Sequence, residues 1–135
     1  MPKMIFINLP VADLGAAKAF YEALGFVNNP AFSDDTAACM VWSEAINVML
    51  QTHDKWRTFT QRPIPSKDSS EVMLCLSCDS REAVDAMNAA AAAKGGIADV
   101  NPVLELGFLY NRSFADADGH VWEAVWMDPA AAPPA

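Results

Sequence analysis

The segment FADADGHVWEAVWMD, from Phe114 to Asp128, sets one acid, Glu123, in the middle of a run of large apolar side chains. A carboxylate between Trp122 and Ala124 is costly to bury without a partner. Its chemistry there would be that of a cation ligand, a general base or a hydrogen-bond acceptor for a bound molecule. The Asp-Ala-Asp-Gly before it repeats part of the acid spacing of a calcium loop. With Gly119 at the sixth place, the first place is Phe114 and the twelfth Val125. Neither is an acid, so the stretch is a turn. Cys75 and Cys78 form C-x-x-C. A redox pair of this kind opens a helix, whose dipole lowers the thiol pKa. Here Cys75 lies inside an alternating strand, so the two thiols leave on opposite faces, and no second ligand pair completes a zinc site. The histidines are His53, just past a strand end, and His120, on the side of its strand opposite Glu123. No nucleotide-binding fingerprint or nucleophile elbow occurs.

The chain that must position these groups has 135 residues, enough for one domain with a sizeable core. Its 53% hydrophobic content describes a globular protein. A net charge of −8 excludes nucleic acid as a natural partner, since phosphates call for clustered Lys and Arg. No apolar run reaches the length of a membrane span, and MPKMIFINLP is too short and polar for a signal peptide. A cytoplasmic location is the resulting expectation. Three cysteines, an odd number, do not make a disulfide framework.

Hydrophobic periodicity predicts two similar halves. MIFINLPV alternates, with Ile5, Ile7, Leu9 and Val11 on one face and Phe6, Asn8 and Pro10 on the other. Asp13 caps a helix over LGAAKAFYEAL, which Gly25 ends. A turn-rich stretch with a short strand follows, then strands in TAACMVW and AINVMLQ around a turn at Ser43 and Glu44. The segment 53–70 lacks a clean period and reads as a connector, with a helical turn near Trp56 to Phe59. EVMLCLSC then alternates, and a helix follows Asp79 or Ser80 and stops at Gly95 and Gly96. GFLYNRSFAD and HVWEAVWMD are the last strands, and residues 129–135 read as a disordered tail. A shift of 67 positions lays Ile5, Ile7, Leu9 and Val11 on Val72, Leu74, Leu76 and Cys78. This is an internal repeat, with module one at 4–52 and module two at 71–128. In each module one sheet face would pack on the helix, and the two mixed faces side by side would curve around a shared cup.

INLPVADLGAAKAFYEALGF near the start and SFADADGHVWEAVWMD near the end resemble the vicinal oxygen chelate superfamily, which includes glyoxalase I, bleomycin-resistance proteins and extradiol dioxygenases. The resemblance runs from Met4 to Asp128, and its tone is that of predicted lactoylglutathione lyases. It implies an α+β fold of two βαβββ modules forming a curved mixed sheet around a cup, often with a divalent metal at its base. In metal-dependent members four ligands come from the first and last strands of the modules. On this chain those places fall on Phe6, Asn47 or Met49, Met73 and Glu123. Phenylalanine cannot ligate, and thioethers are poor ligands for hard divalent ions. No metal or other cofactor is therefore expected, a divalent metal being the alternative.

Three readings of function follow. In the first, an apolar cup binds a small, partly flat organic molecule without metal. Its lining is Phe6, Asn8, Trp42, Asn47, Met49, Met73, Cys75 and Tyr110, with Glu123 and Arg112 as polar anchors. In the second, Glu123 is the general base of a glyoxalase-type lyase or isomerase, its pKa raised by the cup, with Arg112 as electrophile. In the third, Glu123 answers a buried Arg or Asn in a closed core. The connector aromatics Trp56 and Phe59, and the pairing usual among single-chain members of the superfamily, imply a homodimer.

Overall fold

A computed structural model describes residues 3–131. The chain divides into two compact units between Lys67 and Asp68, within the expected connector. The first has the order βαβββ and the second βαββββ, and each sheet mixes parallel and antiparallel pairs.

In the first unit β1 (Ile5–Val11) leads through Asp13 into α1 (Leu14–Leu24). The Asp13 carboxylate accepts from the Ala16 amide, satisfying a donor that the first helical turn leaves open. Gly25 ends the helix at φ 111°, a backbone region that side chains with a Cβ avoid. β2 (Val27–Asn29), a short 3₁₀ turn, β3 (Ala37–Val41) and β4 (Ile46–Thr52) complete the unit in the order β1-β4-β3-β2. β1 runs parallel to β4, and the other pairs are antiparallel.

The register sorts the side chains. Leu9, Leu50 and Ala38 align across three strands, as do Val48 and Met40, and all five are buried. This is the helix face, closed by Ala17, Phe20, Tyr21 and Leu24 of α1. Tyr21 meets both Phe20 and Phe26 edge-on, with ring centroids 5.1 and 5.4 Å apart. Phe6, Asn8 and Pro10 align with Asn47, Met49 and Gln51 on the opposite face. The single helical turn expected near Trp56 to Phe59 falls earlier in the connector. α2 (His53–Trp56) is one turn, capped by the Thr52 hydroxyl, and Phe59 lies beyond it in a turn.

The second unit repeats the plan. β5 (Met73–Ser77) leads to α3 (Arg81–Ala93), whose first amides are capped by Ser80. The helix starts Leu14 and Arg81 keep the 67-residue offset of the strands. Two short strands that periodicity did not reveal, β6 (Ile97–Ala98) and β7 (Leu104–Glu105), pair with β8 (Leu109–Ala115). β9 (Val121–Met127) lies between β8 and β5, parallel to β5. Trp122, Ala124, Leu76 and Phe114 share one face and are buried with Val84, Met87 and Ala91 of α3.

The Asp-rich segment between β8 and β9 is a turn. Asp116 Oδ1 accepts from the amides of Asp118 and His120, and Gly119 takes φ 87°. Of the expected tail, 129–131 form a turn in which the Ala131 amide reaches the Asp128 carbonyl, and 132–135 lie outside the described residues. No helix among the described residues is long and apolar enough to cross a membrane.

Candidate functional site

The last strand has the alternation its sequence implies. Trp122 and Ala124 are fully buried on the helix side, so Glu123 points the other way and is half-buried. Directly across from it stand Cys75 on β5 and Ser113 on β8. Met73 and Val121 flank this row on one side, Ser77, Val125 and Asn111 on the other. Glu123 is the only charged residue among these strand positions.

The neighbours of Glu123 are engaged elsewhere. Ser113 Oγ accepts from the Asn101 amide at 2.8 Å, and the Asn101 side chain reaches Met73 Sδ at 3.5 Å. Among the described residues the Glu123 side chain makes no hydrogen bond and no ion pair. A carboxylate tied to a buried Arg or Asn is therefore not what this strand holds. Burial pushes the Cys75 thiol up, and the Glu123 carboxylate adds to the shift. Cys78 is raised as well, first by burial and then by Asp79. Both thiols are free and held in the protonated form, the opposite of what a redox pair requires.

Arg112, expected to orient a ligand beside Glu123, projects from the other face of the sheet. It pairs with Ala124 in register and so shares the helix side. There its guanidinium grips Asp99 through two nitrogens, at 3.0 and 2.7 Å, and Asp85 of α3 at 2.9 Å. The double contact with Asp99 and the bond to Asp85 hold its proton more firmly than in a free guanidinium. Tyr110 shares this face, and its hydroxyl donates to Asp85 at 2.6 Å. The sequence could not reveal Asp85 and Asp99 as the partners, because one lies on the helix and the other in a loop. Asp99 reaches its position with φ 52°, a conformation Asp tolerates better than most residues. Trp42 also leaves the expected lining: it packs on Phe26, ring centroids 5.0 Å apart, beside Gly25 at the end of α1.

The first unit supplies the other expected residues. Phe6 stands opposite Asn47, and Asn8 opposite Met49, on the face away from α1. The register also resolves the choice between Asn47 and Met49. Cys75 pairs with Glu123 as Asn8 pairs with Met49, and Met73 pairs with Val121 as Phe6 pairs with Asn47. Met49 is thus the counterpart of Glu123. Gln51, which the sequence did not single out, lies on the same face and is 5% exposed. Its alternation with Asn47 and Met49 was the available signal.

The side chains at the four family ligand places do not suit a divalent metal. Phe6 has no donor, Met49 and Met73 offer thioethers, and Glu123 is a single carboxylate. Among the described residues no group of three His, Cys, Asp or Glu side chains could hold an ion. His53 begins α2.

Comparison with known proteins agrees with this architecture. Residues 3–43 match the family described as bleomycin resistance protein-like N-terminal. The N-terminal match and the shared fold fit the resemblance to the vicinal oxygen chelate superfamily. Among solved structures, a hypothetical protein from S. aureus is 26% identical, with a TM-score of 0.78 and coverage of 94% of this chain and 95% of that one. A glyoxalase/bleomycin resistance protein/dioxygenase family enzyme from Burkholderia phytofirmans is 17% identical, with a TM-score of 0.75 and coverage of 93% and 99%. A fosfomycin resistance protein from Mesorhizobium loti shares the fold at 12% identity, with a TM-score of 0.67 and coverage of 96% of each chain. No curated protein matches the sequence.

The Arg112 cluster yields a pH prediction. Hydrogen bonds from Tyr110 and Arg112 hold Asp85 below the ordinary carboxylate range, and Arg112 does the same for Asp99. Depressed folded-state values mean that this stabilisation is present above the unfolded carboxylate pKa and is lost as pH falls through the folded one. Arg112→Gln should lower stability at neutral pH by about 1–2 kcal/mol, a figure limited by the partial exposure of both acids. The deficit should shrink in acid. Urea unfolding from pH 7 to pH 3 reads both effects, and a deficit that does not shrink would count against the cluster.

Proposed function

We propose that this protein binds a small, partly flat organic molecule on the mixed faces of its sheets, without a metal, and that Glu123 is the group that orients it. The observation carrying this is the free Glu123 carboxylate, half-buried among Met73, Val121, Val125 and Cys75. A desolvated acceptor with no internal partner favours a ligand that brings a donor. Bleomycin and fosfomycin resistance proteins share the family or the fold, and a role in binding drug-like molecules would suit that company. Proton transfer by Glu123 would need an electrophile beside it. Arg112, the side chain expected to serve, is committed to Asp85 and Asp99 on the opposite face, so binding is the better-supported role.

Glu123→Gln keeps the shape of the side chain and removes its charge. It should weaken binding of flat aromatic compounds carrying a hydrogen-bond donor about tenfold, with the melting temperature of the free protein nearly unchanged. Titration followed by tryptophan fluorescence, alongside thermal melts, measures both. A clear loss of stability with undiminished binding would return Glu123 to a structural role. Elemental analysis of the purified protein should find far less than one Zn, Ni, Fe or Mn per chain, and a stoichiometric ion would overturn the metal-free reading.

Assembly belongs to the same proposal. Phe59 is 68% exposed beside α2, with the Lys55 ammonium 5.4 Å from its ring centroid. Exposed apolar surface of this kind suits a contact between two copies. Light scattering at micromolar concentration should give the mass of a dimer, and Phe59→Ser should shift it toward the monomer. A monomer mass for the unaltered protein would remove the idea.

A further inference from the structure

The face of the first unit that turns away from α1 has a chemical character of its own. Its strand positions are Phe6, Asn8 and Pro10 on β1, Asn47, Met49 and Gln51 on β4, and Val41, Cys39 and Ala37 on β3. None of these residues is charged. Asn47 and Gln51 are each 5% exposed, and each leaves one buried polar atom without a partner: Asn47 Nδ2, a donor, and Gln51 Oε1, an acceptor. Phe6, paired with Asn47, is 53% exposed. The amides are therefore recessed beside an apolar side chain that stands out.

The Gln51 group is held in place. Its Nε2 donates to Asn8 Oδ1 at 2.6 Å, which leaves the carbonyl oxygen as the unsatisfied end. Turning both amides over would exchange donor and acceptor, and one polar atom of Gln51 would still lack a partner. Buried polar atoms are nearly always hydrogen-bonded, and leaving one unpaired is costly. The two residues stand on one sheet face, four apart along β4, so their Cα positions are roughly 13 Å apart with Met49 between them.

We propose that this face is a binding surface for uncharged, elongated organic molecules with a hydrogen-bond acceptor at one end and a donor at the other. Asn47 Nδ2 donates to the acceptor and Gln51 Oε1 accepts from the donor. The apolar middle lies over Met49. The inference rests on the reading of the chain as a small-molecule binder and adds the ligand's class: neutral and amide-like rather than anionic. A carboxylate placed at Gln51 Oε1 would meet an acceptor with no proton to share.

The test uses 4-acetamidobenzamide, which is neutral with an amide at each end, and its anionic counterpart 4-acetamidobenzoate. In amide-resolved NMR spectra of the full chain, the neutral probe should move the Asn47 side-chain NH2 signals and bind at least tenfold tighter than the anion. Asn47→Leu and Gln51→Leu should each weaken the neutral probe about tenfold. Asn47→Leu should melt at the same temperature as the parent or higher, because it removes an unsatisfied buried group, and Gln51→Leu, which also gives up the bond to Asn8, should melt close to the parent. Equal or tighter binding of the anion, no movement of the Asn47 signals up to the solubility limit of the probe, or a lower melting temperature with binding unchanged would each overturn the proposal. Glu123→Gln separates the two readings. If it weakens the neutral probe while the Leu variants do not, small-molecule binding stands and the amide surface falls. If neither Glu123→Gln nor the Leu variants change binding of any probe, the broader reading falls with it.

Discussion

Each sheet of this protein must bury one face beneath a single helix, and that demand assigns a direction to every strand side chain. In the second unit α3 covers the face carrying Trp122, Ala124 and Phe114, all fully buried. With period-two alternation, a fully buried Trp122 forces Glu123 to the opposite side. A slip of one residue would place a carboxylate under α3 and turn an indole outward. The cost of both errors pins the register more firmly than any local preference could. In the first unit Leu50 and Val48 under α1 send Asn47, Met49 and Gln51 the other way.

Charge is distributed by the same constraint. The ionic contacts of the second unit gather on the helix side, where Arg112 joins Asp85 and Asp99. At the edge of that side, Arg81 pairs with Glu105 and the Gly107 carbonyl. The Arg81 guanidinium also lies over the rings of Tyr110 and Trp126, 5.1 and 4.9 Å from their centroids. That pair, with a bond from the Gly107 amide, lowers the pKa of Glu105 to about 2. The mixed face keeps only Glu123. Arg81 and Arg112, the arginines of this unit, are held on the helix side, and neither pairs with the Glu123 carboxylate.

The two units diverge in what they place on equivalent positions. Met49 stands where its counterpart has Glu123, and Asn8 where the counterpart has Cys75. One face thus offers neutral amides and the other a carboxylate beside the Cys75 thiol. A repeated backbone with unlike faces can present two kinds of polar group to bound molecules while each core stays equally apolar.

Much of this was legible in the residue order. Alternation in MIFINLPV and HVWEAVWMD, the Asp13 cap and the Gly25 stop are local signals, and the elements they mark fall where expected. The 67-residue repeat and the outward turn of Glu123 follow from the same short-range rules. The short strands β6 and β7 were not legible, because two residues carry too little period to read. Nor were the partners of Arg112: alternation alone separates it from Glu123, yet its proximity in sequence to the last strand suggested company. Only the tertiary structure showed that Asp85 and Asp99 take it, one from a helix and the other from a loop. It also decided between Asn47 and Met49 and exposed the unpaired amide atoms, since strand register and hydrogen-bond satisfaction depend on residues that sequence distance does not connect.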